Sequence, residues 1–318
     1  MTLAEIAMLF AWAGAACGPV VALLAWRRLG SAGRRTAGAR VLLGFFALAY
    51  GLGVWAFLIE PRTLAVRHVS VESEAWRGPP LRIGVVSDTH VDAPHVTPER
   101  VRRLMARMAG ERPDVVVFVG DYVGGHAPAA ARDDVARTGI AEGIAAFGTI
   151  HAPLGRYAVL GNHDWWYGGR EVEALLWRAG VPVLENYAQR VERPGGAFWI
   201  AGLADYASLR AQPSAAAALA AVSAHEPVVV LSHWPDAFKQ VPARAALTIA
   251  AHSHCGQVNL PLLGRPITPS PGSARWPCGL YEEDGRKLLV TGGVGVSILP
   301  VRFRAPPEIV IVTLSEHP

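Results

Sequence analysis

Asp114-Val115-Val116-Val117-Phe118-Val119-Gly120-Asp121 is an unbroken apolar run that closes on a glycine and an aspartate. A short run of β-branched and aromatic residues bounded in this way reads as a strand buried on both faces. Four other runs end alike. Residues 81–87 lead into Asp88-Thr89-His90, residues 156–161 into Asn162-His163-Asp164, residues 228–232 into His233, and residues 246–251 into His252-Ser253-His254. In open α/β sheets ligands collect outside the carboxyl ends of the strands, and neighbouring strands lie under ~5 Å apart. Five strand ends can therefore bring Asp, Asn and His side chains to one place.

Around this frame, helical patterns cover residues 98–109, 129–147, 170–179 and 214–224. Further strand patterns cover residues 63–72, 181–184, 189–193, 198–203 and 308–314. Residues 280–283 and 287–291 flank a Glu-Asp-Gly hairpin signal, and the glycines and prolines of residues 255–280 read as a long loop. Strands outnumber helices, and several are buried on both faces. That pattern fits two packed sheets with helices outside.

The N-terminal 60 residues have a different character. Residues 6–26 and 41–59 carry no charge, and each run is long enough as a helix to cross a bilayer core of ~30 Å. Two adjacent runs of this kind argue against buried core helices. Between them stand Arg27, Arg28, Arg34, Arg35 and Arg40 with no acid, whereas only Arg62 and Arg67 lie close by on the far side. The basic excess predicts a cytoplasmic hairpin loop in the inner membrane, with the remainder of the chain, residues 61–318, periplasmic or extracellular. Gly14-Ala15-Ala16-Cys17 resembles a lipoprotein box but lacks its leading aliphatic residue. Arg34-Arg35 loosely resembles a twin-arginine signal, yet no small-x-small cleavage site follows Ile59. Retained helices, an anchor over residues 1–60, are the expectation.

This division also explains the composition. The whole chain is 51% hydrophobic and only 18% charged, with a net charge of +4. Five Arg and two Glu of that balance lie in residues 1–60, leaving 25 basic and 24 acidic residues for the rest. The basicity thus belongs to the loop of the anchor, and a nucleic-acid partner is not expected. Three cysteines exclude a disulfide-dense scaffold and a four-cysteine zinc site.

The spacing of the strand-end residues suits metal chemistry. Residues i and i+2 of an extended chain point the same way, so Asp88 with His90, and His252 with His254, can each aim two ligands together. Asp121 is the lone carboxylate suited to bridge two cations. Imidazoles, carboxylates and an amide oxygen fit Mn²⁺, Fe²⁺, Zn²⁺ or Ni²⁺ better than a thiolate-seeking ion. Two such ions ~3.5–4 Å apart stabilise the attacking and leaving oxygens of a phosphoryl displacement.

Asp88-Thr89-His90, Gly120-Asp121, Gly161-Asn162-His163-Asp164, Ser232-His233 and Ala251-His252-Ser253-His254 resemble the five ordered blocks of the calcineurin-like metallophosphoesterases. The resemblance covers roughly residues 80–314. Gly256-Gln257-Val258, Gly279-Leu280-Tyr281 and Leu299-Pro300-Val301-Arg302-Phe303 are similar to its bacterial membrane-anchored branch. It implies an α/β fold, a four-layer α-β-β-α sandwich of two mixed sheets, and hydrolysis of a phosphodiester or pyrophosphate with two divalent metal ions. One metal would take Asp88, His90, Asp121 and His254; the other, Asp121, Asn162, His233 and His252. His163 would be the general acid for the leaving oxygen or would stabilise charge on the phosphoryl group, and Asp164 would orient it. The substrate it implies is a phosphoester, in one version an envelope lipid or a nucleotide-linked molecule. Alternatives are a UDP-2,3-diacylglucosamine pyrophosphatase, if the domain is cytoplasmic, and a metal-holding envelope protein without turnover. Ala251 and Cys255 replace glycines usual in the family, and both remain small.

Several residues stay outside these blocks. His95, His126, His151 and His225 are expected to be surface or structural. Trp165-Trp166-Tyr167 fits base stacking, lipid contact or plain packing. Leu260-Pro261-Leu262-Leu263 and Ile298-Leu299-Pro300 fit either an apolar lip for an acyl chain or core packing. Cys255 and Cys278 are 23 residues apart and could pair in an oxidising compartment.

Overall fold

The computed structural model of the protein describes residues 3–28, 36–92 and 94–317. Arg34 and Arg35, on which part of the topology expectation rests, lie outside them. Two helices open the chain, α1 (Leu3–Arg28) and α2 (Ala37–Val54), followed by a wide turn at Trp55–Ile59 and a tight one at Glu60–Arg62. Then come β1 (Ala65–Ser73), β2 (Leu81–Val86), α3 (Pro98–Gly110), β3 (Val115–Val119), α4 (Asp134–Ala145), β4 (Arg156–Val159) and α5 (Asn162–Arg178). The second half holds β5 (Tyr187–Val191), β6 (Phe198–Gly202), α6 (Ala215–Ala218), β7 (Val228–Leu231), β8 (Leu247–Ala250), α7 (Pro271–Arg275), β9 (Gly279–Glu283), β10 (Arg286–Val290) and β11 (Glu308–Glu316).

The strands form two mixed sheets, ordered β1-β11-β2-β3-β4 and β5-β6-β7-β8-β10-β9. β3 explains how they pack. Val115, Val117 and Val119 on one face join Ile83, Val85, Phe198, Ile200, Leu231 and Ile249 in the core between the sheets. Val116 and Phe118 on the other face meet Leu104, Met105 and Met108 of α3, Ile140 and Ile144 of α4, and Leu176 of α5. The period of two along a fully buried strand thus feeds two cores, as expected for stacked layers. The second sheet's outer face is covered by shorter pieces, α6 and the turn Pro235–Gln240, through Leu219, Val222, Val230 and Ala237. The expected α-β-β-α sandwich is present.

Local boundaries differ in instructive places. Residues 181–184 form no strand; Val183 makes a single bridge to Ala158 at the sheet edge. The helix expected over residues 214–224 is four residues long, because Leu219 leaves helical geometry and turns follow. α5 begins at Asn162, well before residue 170. Gly168, at φ 152°, interrupts it, so sequence periodicity catches only the second half.

α1 and α2 are apolar, and their side chains stay largely exposed: Phe10 is 72% exposed, Val41 72% and Phe45 68%. They are not core helices. They meet at Gly18 and Tyr50, where any β-carbon on Gly18 would stand 2.5 Å from the Tyr50 ring. Pro19, inside α1, has no N–H to donate to the carbonyl four residues back, at Ala15. The Tyr50 hydroxyl donates to that carbonyl instead. The proline's defect in one helix is repaired by a side chain of the other.

Tyr50→Phe should therefore lower the stability of the full-length protein in mild detergent by ~0.6–2 kcal/mol, the range of interhelical hydrogen bonds in apolar surroundings. Gly18→Val should cost more, since it collides with the ring. Thermal unfolding followed by limited proteolysis of α1 checks both; an unchanged midpoint in both variants would refute the repair.

Candidate metal centre

The site is built from tight turns at the strand ends. Asp88 N–H donates to Gly120 O at 2.9 Å and His90 N–H to Asp121 O at 3.0 Å, clasping the ends of β2 and β3 together. Asp88, His90, Asp121, His252 and His254 all have positive φ, between 45° and 65°. The sequence expectation of i and i+2 side chains aligned along extended chain is thus corrected. Left-handed backbone, disfavoured for residues with a Cβ, turns Asp88 and His90 to one cluster. It sends His252 and His254 to two different ones.

Three overlapping groups result, each with its ligand atoms within 4.8 Å of one another: Asp88, His90 and His254; His90, Asp121 and His163; and Asp121, His233 and His252. Asp121 belongs to two of them. Its Oδ2 lies 3.2 Å from His233 Nε2, 3.7 Å from His90 Nε2 and 4.0 Å from His163 Nε2. His90 Nε2 and His254 Nε2 are 3.1 Å apart, and His254 Nε2 is 3.4 Å from Asp88 Oδ1. The space is kept by glycines. A β-carbon on Gly161 would lie 2.3 Å from Asp121 Oδ1, and one on Gly293, at φ 63°, 2.5 Å from the Asp88 β-carbon.

The donor set fits divalent cations. Both carboxylate oxygens of Asp88, Asn162 Oδ1 and both ring nitrogens of His252 are buried without a hydrogen-bond partner. Such a concentration of orphaned polar atoms is costly unless something unites them. Burial holds His90 and His254 well below their ordinary range and His252 down at about 3. Neutral imidazole is the form that can ligate a metal. Burial also pushes Asp88 up to about 7. His233 goes the other way: burial opposes its charge, but Asp121 beside it, helped by Asp88 and Asp205, pushes it up to about 10. Its Nδ1 donates to Val119 O at 2.8 Å, so Nε2 is the nitrogen left for Asp121 or a cation.

His163 and Asp164 occupy the first turn of α5. Gly161 caps the helix, and the free N–H of His163 donates to Asp121 Oδ1 at 2.9 Å. The Asp164 carboxylate accepts the N–H groups of Asp121, Tyr122, Val123 and Gly161 at 2.8–3.2 Å. Its expected contact with the His163 ring is not made, because four main-chain donors already claim its oxygens. The ring is oriented by the Gly125 carbonyl, which accepts from Nδ1 at 2.8 Å. Asp164 instead shapes the loop that carries Asp121.

Three neighbours escaped the sequence reading. Gly125 acts through its carbonyl and leaves no signal in a side-chain pattern. His126 is exposed, as expected, and what the sequence does not show is that its ring sits 5.0 Å from the His163 ring and 5.2 Å from Trp166, centroid to centroid. Trp234 stacks on His252 at 3.9 Å, which its place directly after His233 could have suggested. In Trp165-Trp166-Tyr167 the roles divide: Trp165 and Tyr167 are buried, while Trp166 is exposed 4.7 Å from His163. Cys255, next to His254, is disulfide-bonded to Cys278.

Comparisons with known proteins agree with this geometry. Residues 81–256, more than half of the chain, match the family model of the calcineurin-like phosphoesterases. The chain is 28% identical to YkuE, an uncharacterized metallophosphoesterase of Bacillus subtilis, over 84% of its own length and 92% of that protein. It is 28% identical to the phosphodiesterase YaeI of Escherichia coli, over 74% and 82% of the two chains. It is 26% identical to LpxG, a UDP-2,3-diacylglucosamine pyrophosphatase of Chlamydia trachomatis, over 83% and 93%. Strand-end ligands in family order, a sandwich that brings them together and a match across the blocks that supply them place this chain in the calcineurin-like phosphoesterase family, as a metal-dependent hydrolase of phosphoric esters.

Proposed function

We propose that the chain is a two-pass membrane protein, anchored by residues 1–60, whose domain at residues 61–318 hydrolyses a phosphodiester or pyrophosphate on the periplasmic or exterior side. The observation that carries the catalytic part is the convergence of Asp88, His90, Asn162, His233, His252 and His254 around Asp121, with so many of their buried polar atoms unpartnered. One cation would be held by Asp88, His90, Asp121 and His254, the other by Asp121, Asn162, His233 and His252. Bound there, they supply positive charge beside the phosphoryl group and an acidified water.

The chain's own residues do the rest. His163 keeps its Nδ1 proton on Gly125 O, so the proton it exchanges is the one on Nε2, the nitrogen facing Asp121. It gives that proton to the leaving oxygen. Asp164 holds the Asp121–Val123 turn by three main-chain hydrogen bonds, and so fixes where the bridging carboxylate stands. Trp166, exposed beside His163, offers a flat face to the part of the substrate that leaves.

Membrane anchoring is supported by the length, composition and exposure of α1 and α2. The Cys255–Cys278 disulfide supports an oxidising compartment, as does the basic loop between the helices. A lipid-linked substrate is supported by Leu262, Leu263, Ile298 and Leu299, all exposed. They stand on two loops joined through Gln257 and Ser297. A second reading, a UDP-2,3-diacylglucosamine pyrophosphatase with a cytoplasmic domain, is favoured by the similarity to LpxG over most of both chains.

His163→Ala should leave metal content unchanged and cut turnover of a chromogenic phosphodiester by ~10²-fold or more; unchanged turnover would remove His163 from the reaction. Asp121→Ala should lose both metals, as read by elemental analysis, and retention of two would refute the bridge. A phosphatase reporter fused after Pro318 should be active outside the cytoplasm. Activity only inside, together with cleavage of the UDP-linked lipid, would establish the second reading.

A further inference from the structure

Where α2 gives way to the first strand, a cationic cavity stands apart from the metal centre. Arg62, His95, Arg100 and Arg103, with the apolar side chains of Leu64, Leu104 and Val294, enclose about 370 Å³. This is the size of a small-ligand pocket. Thr97, the N-cap of α3, is on the same wall, so the positive end of that helix adds to the field.

The cations here are poorly neutralised. Among the described residues neither Arg62 nor Arg100 pairs with a carboxylate. Arg62 donates to Leu58 O at 2.6 Å, and Arg100 to the carbonyls of Pro61, His95 and Val294 at 2.6, 3.1 and 3.5 Å. Arg103 has Glu99 for a partner, at the exposed side of α3. Burial, then the nearby Arg62 and Arg103, bring Arg100 down to about 10; burial, then Arg62 and Arg100, bring His95 down to about 4. His95 Nε2 is buried with no hydrogen-bond partner. Guanidinium groups gathered in this way repel one another unless an anion lies among them, and their planar donors match phosphate oxygens. The setting narrows the source of that anion. Arg62 ends the long apolar helical segment that starts at Ala37, and its guanidinium lies 5.3 Å from the Trp12 ring of α1. Through Arg62 the cavity is therefore tied to the helix pair, and its wall is part arginine, part leucine.

We propose that this cavity binds a phosphate-type anion, supplied as the headgroup of an anionic phospholipid in the membrane that holds α1 and α2. The inference rests on the membrane reading above. Such a headgroup would seat the hydrolase domain against the bilayer at a fixed angle, with Arg100 bonded through Val294 to the loop that packs on Asp88.

The test uses the full-length protein, metals in place, in neutral detergent. Its thermal midpoint is followed on addition of phosphatidylglycerol, phosphatidylcholine or inorganic phosphate, in wild type, R103Q and R62Q/R103Q. Phosphatidylglycerol should raise the wild-type midpoint by about 5 °C near saturation, phosphatidylcholine should not, and the gain should shrink in R103Q and vanish in R62Q/R103Q. Phosphate bound at the metal centre would stabilise all three proteins equally, so only the difference between them reports the cavity. An equal gain with inorganic phosphate, lost in the variants, would overturn the lipid as the source. An equal phosphatidylglycerol gain in all three proteins would overturn the site. R103Q, a change at an exposed position, keeps the result readable if the double variant folds poorly. Alkaline carbonate extraction of native membranes runs alongside. A protein that stays integral but ignores phosphatidylglycerol refutes the cavity alone, whereas one that washes off refutes the membrane reading.

Discussion

A carboxylate shut away from water persists only where donors or opposite charge surround it, and Asp121 is 1% exposed at the meeting point of both sheets. Burial works to raise its pKa, yet His233, His163 and His90 hold it well below the usual carboxylate range. The His163 N–H at the start of α5 donates to one oxygen, and the positive end of that helix faces it. The other oxygen faces three imidazoles. Asp164 then fixes the backbone on either side of this arrangement. The surrounding sandwich is the scaffold that keeps one anion in place with its second oxygen turned to the imidazole cluster.

That demand accounts for the unusual backbone. Five candidate metal-ligating residues sit in left-handed conformations that cost a residue with a Cβ of order 1 kcal/mol each. They are held by bonds between strand ends, such as Asp88 N–H to Gly120 O, and by the close approach of Gly161 and Gly293. Regular strands would have spread the side chains along the sheet edge. Left-handed turns immediately after the strands gather them, and the buried core beneath pays the difference.

Much of this was legible in the sequence, for a physical reason. Candidate ligands placed directly after apolar runs inherit their position from strand pairing, and the run at Val115–Val119 declares its own burial by composition. The hairpin at Glu283–Arg286 was marked by its turn residues, and the helix pair by its lack of charge. What stayed hidden depends on the main chain or on tertiary contact. No side-chain pattern announces that Gly125 O orients His163, or that Asp164 caps a loop rather than a ring. The start of α5 is hidden because Gly168 breaks its periodicity, and the cavity at Arg62 exists only once residues that follow α2 and residues from α3 are folded together.

In the proposed function Asp121 and its neighbours hold two cations, and hydrolysis depends on both. Metal content of the wild-type protein, titrated against phosphodiester turnover after chelation and stepwise return of Mn²⁺, tests it most directly. Two ions per chain, with turnover absent at zero and full only as the second site fills, is the predicted result. Full turnover with one ion, or turnover that survives complete chelation, would contradict the account.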